Sequence, residues 1–174
     1  MSPEREGNRA NFEEIVANAK ELVLESGHHL PVVIIEGSKN LIVSSFQDLP
    51  STHGERMRMM RFVGQAAARS GQVGHLEQVF MVSEGWMSMA HEDNPPKMRP
   101  SEDPNRKEVL IISGFDIQQR KKNLKLFEMV RDKNQHVIAL PEILPPQTKD
   151  GKVEIPLLDA FAEGFLFAHQ ARFN

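Results

Sequence analysis

Cysteine is missing from the 174 residues altogether, and with it go disulfides, thiolate zinc sites and cysteine nucleophiles. Tyrosine is missing too, tryptophan occurs once at Trp86, and aromatic residues make up only 6% of the chain, too few to interleave a nucleic-acid surface with stacking rings. The net charge is −3, so no overall field draws the chain onto phosphate backbones or anionic membranes. No run of about 18 apolar residues occurs, and the opening MSPEREGNRANFEE lacks the apolar stretch behind a basic start that marks a secretory leader. The expected location is the cytosol.

Signature motifs are also lacking. There is no G-x-x-x-x-G-K-[ST], no G-x-G-x-x-G behind a strand, no G-x-S-x-G, no H-E-x-x-H and no EF-hand loop. An active site would have to be assembled from residues that meet only in space, so a non-enzymatic role is the first expectation and no cofactor is expected.

What is present is ordinary for a folded domain, with 40% hydrophobic and 26% charged residues. A chain of this length buries roughly 70% of the surface it exposes when unfolded, so one domain over residues 1–174 needs no staples. Residues 1–10 are expected to be a flexible leading segment.

Local signals then lay out the elements. Asn11 has N-cap spacing to Glu14, and Phe12, Ile15, Ala19, Leu22 and Val23 recur at helical intervals before Gly27, which reads as a helix closed by a glycine cap. LPVVIIEG and LIVSSF, separated by Ser38-Lys39-Asn40, read as a hairpin. Thr52 and Glu55 make a capping box that opens a second helix ending near Gly71. From His75 to Ala90 the chain reads as one long strand, with a bend or bulge expected near Gly85. EVLIISGF is a further strand. LKLFEMVRD and HVIALPEI read as two more around a turn at Lys133-Asn134, although the first would be helical if it began at Asp116. Pro156 suits the first position of a terminal helix.

The fold class is therefore α+β: a mostly antiparallel sheet flanked by helices, in the order α-β-β-α-β-β-(β-β)-α. Profilin-like and roadblock-like domains share this element order, a likeness of layout that carries no function.

Four places could carry chemistry. The loop over 91–106 holds four prolines and exceeds ordinary connection length, the mark of a lid or binding loop. Within it Ser101 can bond forward to the backbone, Asp103-Pro104-Asn105 suits a tight turn, and Arg106 can pair with Glu102 or Asp103. Glu84 and Trp86, two apart and so on one strand face, would line a pocket beneath that loop with His91 and Glu108. Were Glu84 buried there, desolvation would favour its protonated form and suit it to acid–base work.

The histidines are weaker candidates. His28-His29 follow a helix end and read as capping groups, and His91-Glu92-Asp93 lacks the second histidine a metal needs, so no metal site is expected. Arg56, Arg58, Arg61 and Arg69 on the second helix, and Arg120-Lys121-Lys122 with Lys125, could contact nucleic acid, though acids interleave with them and a solvated face is the plainer reading.

The terminal helix carries Phe161, Phe165, Phe167 and Phe173 over more than one stripe, whereas a surface helix needs one. Either two core surfaces sandwich it or one side meets a partner. The leading expectation is a cytosolic domain acting through protein contacts as a homo-oligomer, with no membrane partner and with nucleic acid disfavoured. The alternative is a small-molecule-binding protein or hydrolase-like enzyme using the pocket under the 91–106 loop; the third is weak nucleic-acid binding through the 56–69 arginine helix.

Overall fold

The computed structural model describes residues 9–88 and 99–172. Helix α1 spans Phe12–Ser26; the Asn11 side chain accepts from the Glu13 and Glu14 N–H groups, and Gly27 closes the helix in the left-handed region at φ 82°. Strands β1 (Val32–Gly37) and β2 (Leu41–Ser45) form the expected hairpin. Helix α2 (His53–Ser70) starts on a complete Thr52/Glu55 capping box and ends at Gly71.

Strand β3 (Leu76–Met87) pairs antiparallel with β4 (Lys107–Asp116) over an unbroken register from Gln78↔Asp116 to Met87↔Lys107. The bulge expected near Gly85 is not there. The irregularity lies instead between Glu36 and Gly37, where β1 leaves β3 and turns toward β2. After β5 (Lys121–Glu128) the chain breaks into short pieces: β6 (Val130–Arg131), β7 (Val137–Ala139) and β8 (Glu142–Ile143). Residues 121–128 are thus strand, and the helical alternative falls. The two long strands expected after 120 are four: β6 and β7 make a small hairpin, while β8 returns to pair with β5.

The main sheet has six strands, ordered β2-β1-β3-β4-β5-β8 and antiparallel throughout, so the α+β class and element order are those read from the sequence. Alternation along the strands divides two cores. Val82, Leu110, Ile112 and Phe127 pack with Val16, Ala19 and Val23 of α1 on one face. Val33, Ile35, Val79 and Met81 pack on the other with α2 and with helix α3 (Pro156–Ala171).

Helix α3 lies on the sheet and takes α2 along its other flank, which explains why its apolar positions exceed one stripe. The crossing is close because it uses glycine: a Cβ at Gly64 would stand 2.1 Å from the Phe161 carbonyl oxygen, and one at Gly164 would stand 2.1 Å from that of Arg61. Phe161 and Phe165 are completely buried in this seam, stacked with ring centres 6.3 Å apart. They are core rather than interface, which corrects their assignment as contact residues. Phe167 is 67% exposed, and Phe173 lies outside the described residues.

The leading segment is anchored sooner than expected. The Ala10 N–H donates to the buried Glu36 carboxylate, its carbonyl accepts from Gln78 Nε2 at 3.2 Å, and Arg9 sits 3.9 Å from Asp116. The remainder of the 1–10 segment, residues 1–8, lies outside the described residues.

Candidate functional site

Because β3 and β4 run side by side, the residues at the end of one and the start of the other share a rim. Trp86 lies opposite Glu108 and Glu84 opposite Leu110, all on the sheet face that α1 covers further along. Around them opens a cleft of about 670 Å³. Its floor is Glu84, Gly85, Trp86 and Glu108. The α1–β1 link, 28–31, and the stretch leading into α2, with Asp48 and Arg56, form two sides. The 3-10 turn Pro100–Glu102 brings Arg99, Pro100 and Ser101 to the third. Three of the four residues expected to meet in a pocket do so. His91, the fourth, lies outside the described residues together with Glu92 and Asp93.

Each acidic group on the floor already has a structural partner. A Glu84 carboxylate oxygen accepts the backbone N–H of His29, fastening the α1–β1 link to the floor across 55 positions of sequence. Glu108 meets Arg131 through two parallel bonds, Nε to Oε2 at 2.7 Å and Nη2 to Oε1 at 2.6 Å. Arg131 also donates to the Gly27 carbonyl at 2.9 Å, so one guanidinium ties β6 to β4 and to the end of α1. The hydrogen bonds that Glu108 accepts hold the Arg131 guanidinium pKa above its already high ordinary value.

Trp86 is 45% exposed, and the guanidinium carbon of Arg106 stands 4.2 Å from its ring centre. Arg106 also donates to the Ser101 carbonyl, so it holds the 3-10 turn against the indole, and its charge acts on Asp103 without a close ion pair. Ser101 thus contributes its carbonyl and not a forward hydroxyl bond. Asp103 accepts the Asn105 N–H at 2.8 Å, the tight turn expected there, and that bond holds its carboxyl below the ordinary aspartate value.

The histidines on the rim are locally engaged. His28 Nδ1 lies 3.2 Å from the Ser26 carbonyl at the end of α1, in keeping with a capping role, whereas His29 Nδ1 lies 2.6 Å from the Leu30 carbonyl, outside the helix. Among the described residues no group of three or more histidines and carboxylates is placed to hold a metal.

The chain carries the sequence pattern of a phage family: a family model for bacteriophage lambda protein ea47 matches residues 1–161. The chain belongs to that family. No curated protein matches it, and no solved structure does. Residue roles in this ea47-family chain therefore rest on geometry.

Four of the basic residues are engaged by neighbouring groups. Arg56 donates to the Pro50 carbonyl at 2.6 Å, Arg61 pairs with Glu163 at 3.1 Å, Lys122 with Asp159 at 2.8 Å and Lys125 with Glu13 at 2.9 Å. The bond to Glu13 raises the Lys125 pKa. No helix among the described residues is long and apolar enough to cross a membrane. Sequence reasoning missed the contribution of residues 47–56 to the cleft. The one available signal was the capping box, which fixes where the α2 N-terminus begins but not what it faces.

Proposed function

We propose that this chain is a small-molecule-binding domain of the cytosol, with its ligand held in the cleft between β3, β4 and the start of α2. The observation that carries the reading is the meeting of Glu84, Trp86 and Glu108 in one cavity whose volume, about 670 Å³, falls within the range of small-ligand sites. Binding fits better than hydrolysis. The two floor carboxylates are committed to His29 and Arg131, and the Thr52 hydroxyl, which lines the cleft and donates to Glu55 at 2.7 Å, is engaged in the capping box of α2. An exposed indole offers a stacking surface, while Arg56 and Arg99 offer positive charge. The ligand chemistry this favours is a flat, anionic small molecule.

Trp86 is the only tryptophan, so intrinsic fluorescence reports the cleft alone. Titration with a panel of aromatic carboxylates and mononucleotides is expected to show saturable quenching by at least one member, with a matching rise in melting temperature. The thermal shift should disappear in a Trp86→Ala, Arg56→Ala double variant. A panel without any saturable response, or a shift that survives in the double variant, would overturn the proposal.

A further inference from the structure

The two edges of the sheet are built differently. On one side β8 offers only Glu142–Ile143, bracketed by Pro141, Pro145 and Pro146, which is how proteins blunt an edge against further pairing. On the other, β2 presents Leu41-Ile42-Val43-Ser44-Ser45, a stretch with no charge and no proline.

The β1–β2 ladder decides which groups face outward. It is bracketed by the Gly37 N–H to Asn40 bond at 3.0 Å and the Phe46 N–H to Pro31 bond at 2.9 Å. In antiparallel pairing bonded positions alternate, so Ile42 and Ser44 bond to β1 while the N–H and C=O groups of Leu41, Val43 and Ser45 point away from the sheet. No strand among the described residues takes them. The side chains of Leu41 and Val43 are 48% and 59% exposed, with Ile34 beside Val43 on the same face.

Three outward-facing positions spaced evenly about Val43 are self-complementary. We propose that β2 pairs antiparallel with β2 of a second copy about a two-fold axis through Val43. Val43 then faces the partner's Val43, and Leu41 faces the partner's Ser45, each pair exchanging both backbone hydrogen bonds. The apolar ribbon of Ile34, Leu41 and Val43 continues across the seam. A two-fold pairing closes on itself, and the blunted β8 edge offers no route to further growth. One strand pair buries less than the roughly 1,200–2,000 Å² of a standard interface, so the dimer is reversible and concentration-dependent.

Sedimentation velocity of the full chain between about 1 and about 200 μM, the range in which small interfaces titrate, is expected to show a monomer passing into a dimer. Val43→Lys and Val43→Glu each place like charges against one another on the axis and should each remain monomeric. An equimolar mixture of the two should dimerise again, because opposite charges then meet. Unchanged far-UV circular dichroism of both variants establishes that they fold. The proposal is sunk if the native chain stays monomeric throughout, which would leave the edge to a strand from a different protein. It is equally sunk if Val43→Lys associates as the native chain does, or if the mixture stays monomeric.

Discussion

Arg131 and Glu108, 23 positions apart, meet as a planar fork with both side chains about one-fifth exposed. A partly buried pair of this kind is worth little against an apolar substitute, but removing one member strands the other. Arg131→Met also leaves the Gly27 carbonyl unmatched at the end of α1. The expected loss is about 2–4 kcal/mol for Arg131→Met and about 2–3 kcal/mol for Glu108→Gln. Urea unfolding midpoints measure both, and losses under half a kilocalorie for each would show the fork to be ornamental.

The α2–α3 crossing makes a sharper forecast. Gly64→Ala and Gly164→Ala each drive a methyl into a backbone oxygen that no side-chain rotation can move. Each should cost upward of about 3 kcal/mol or prevent folding. Gly54→Ala, in the first turn of α2 with nothing within 4 Å of the added carbon, should instead stabilise by about 0.5 kcal/mol. Thermal melts of the three variants test the contrast.

Arg106 should act through Trp86. Arg106→Ala bares one face of the indole and frees the 3-10 turn, at a cost of about 0.5–1 kcal/mol. Acrylamide should then quench the tryptophan more strongly and its emission should move to the red. Unaltered quenching would place the guanidinium elsewhere in solution.

Acid should loosen the start of α2. The Thr52 side-chain hydrogen bond, followed by the Thr52 backbone bond, holds the Glu55 carboxyl below its ordinary value of 4.5. A group whose value is depressed by folding contributes stability above that ordinary value and loses it as pH falls through the lower folded one. Thr52→Ala should cost about 1 kcal/mol at neutral pH through loss of the N-cap. The share of that gap owed to the carboxylate should close as the pH falls below 4.5, read from the difference in melting temperature between the two proteins at each pH.

Much of the architecture was legible because its signals are local. Asn11 with Gly27, and Thr52 with Glu55 and Gly71, mark helix ends through bonds that span only a few residues, and Pro156 marks one by its missing N–H. The alternation in β3 and β4 placed Glu84, Trp86 and Glu108 on a common rim for the same reason. What escaped depends on distant partners. Nothing near Arg131 announces Glu108, and nothing near His29 announces Glu84. The phenylalanines of α3 were open to two readings until Gly64 and Gly164 showed how closely α2 comes to cover them. A glycine at 85 invites a bulge there, yet the long β3–β4 ladder tolerates that glycine, and the shift falls where β1 must part from β3.

The walls of the cleft come from residues 28–31, 47–56, 84–86, 99–101 and 108, stretches that neighbour one another only after the whole chain has come together. No excised fragment can carry such a site. Conversely, a guest lodged there clasps every one of those stretches at once, and at a hundred times its dissociation constant it would add about 2.7 kcal/mol to the stability of the entire molecule.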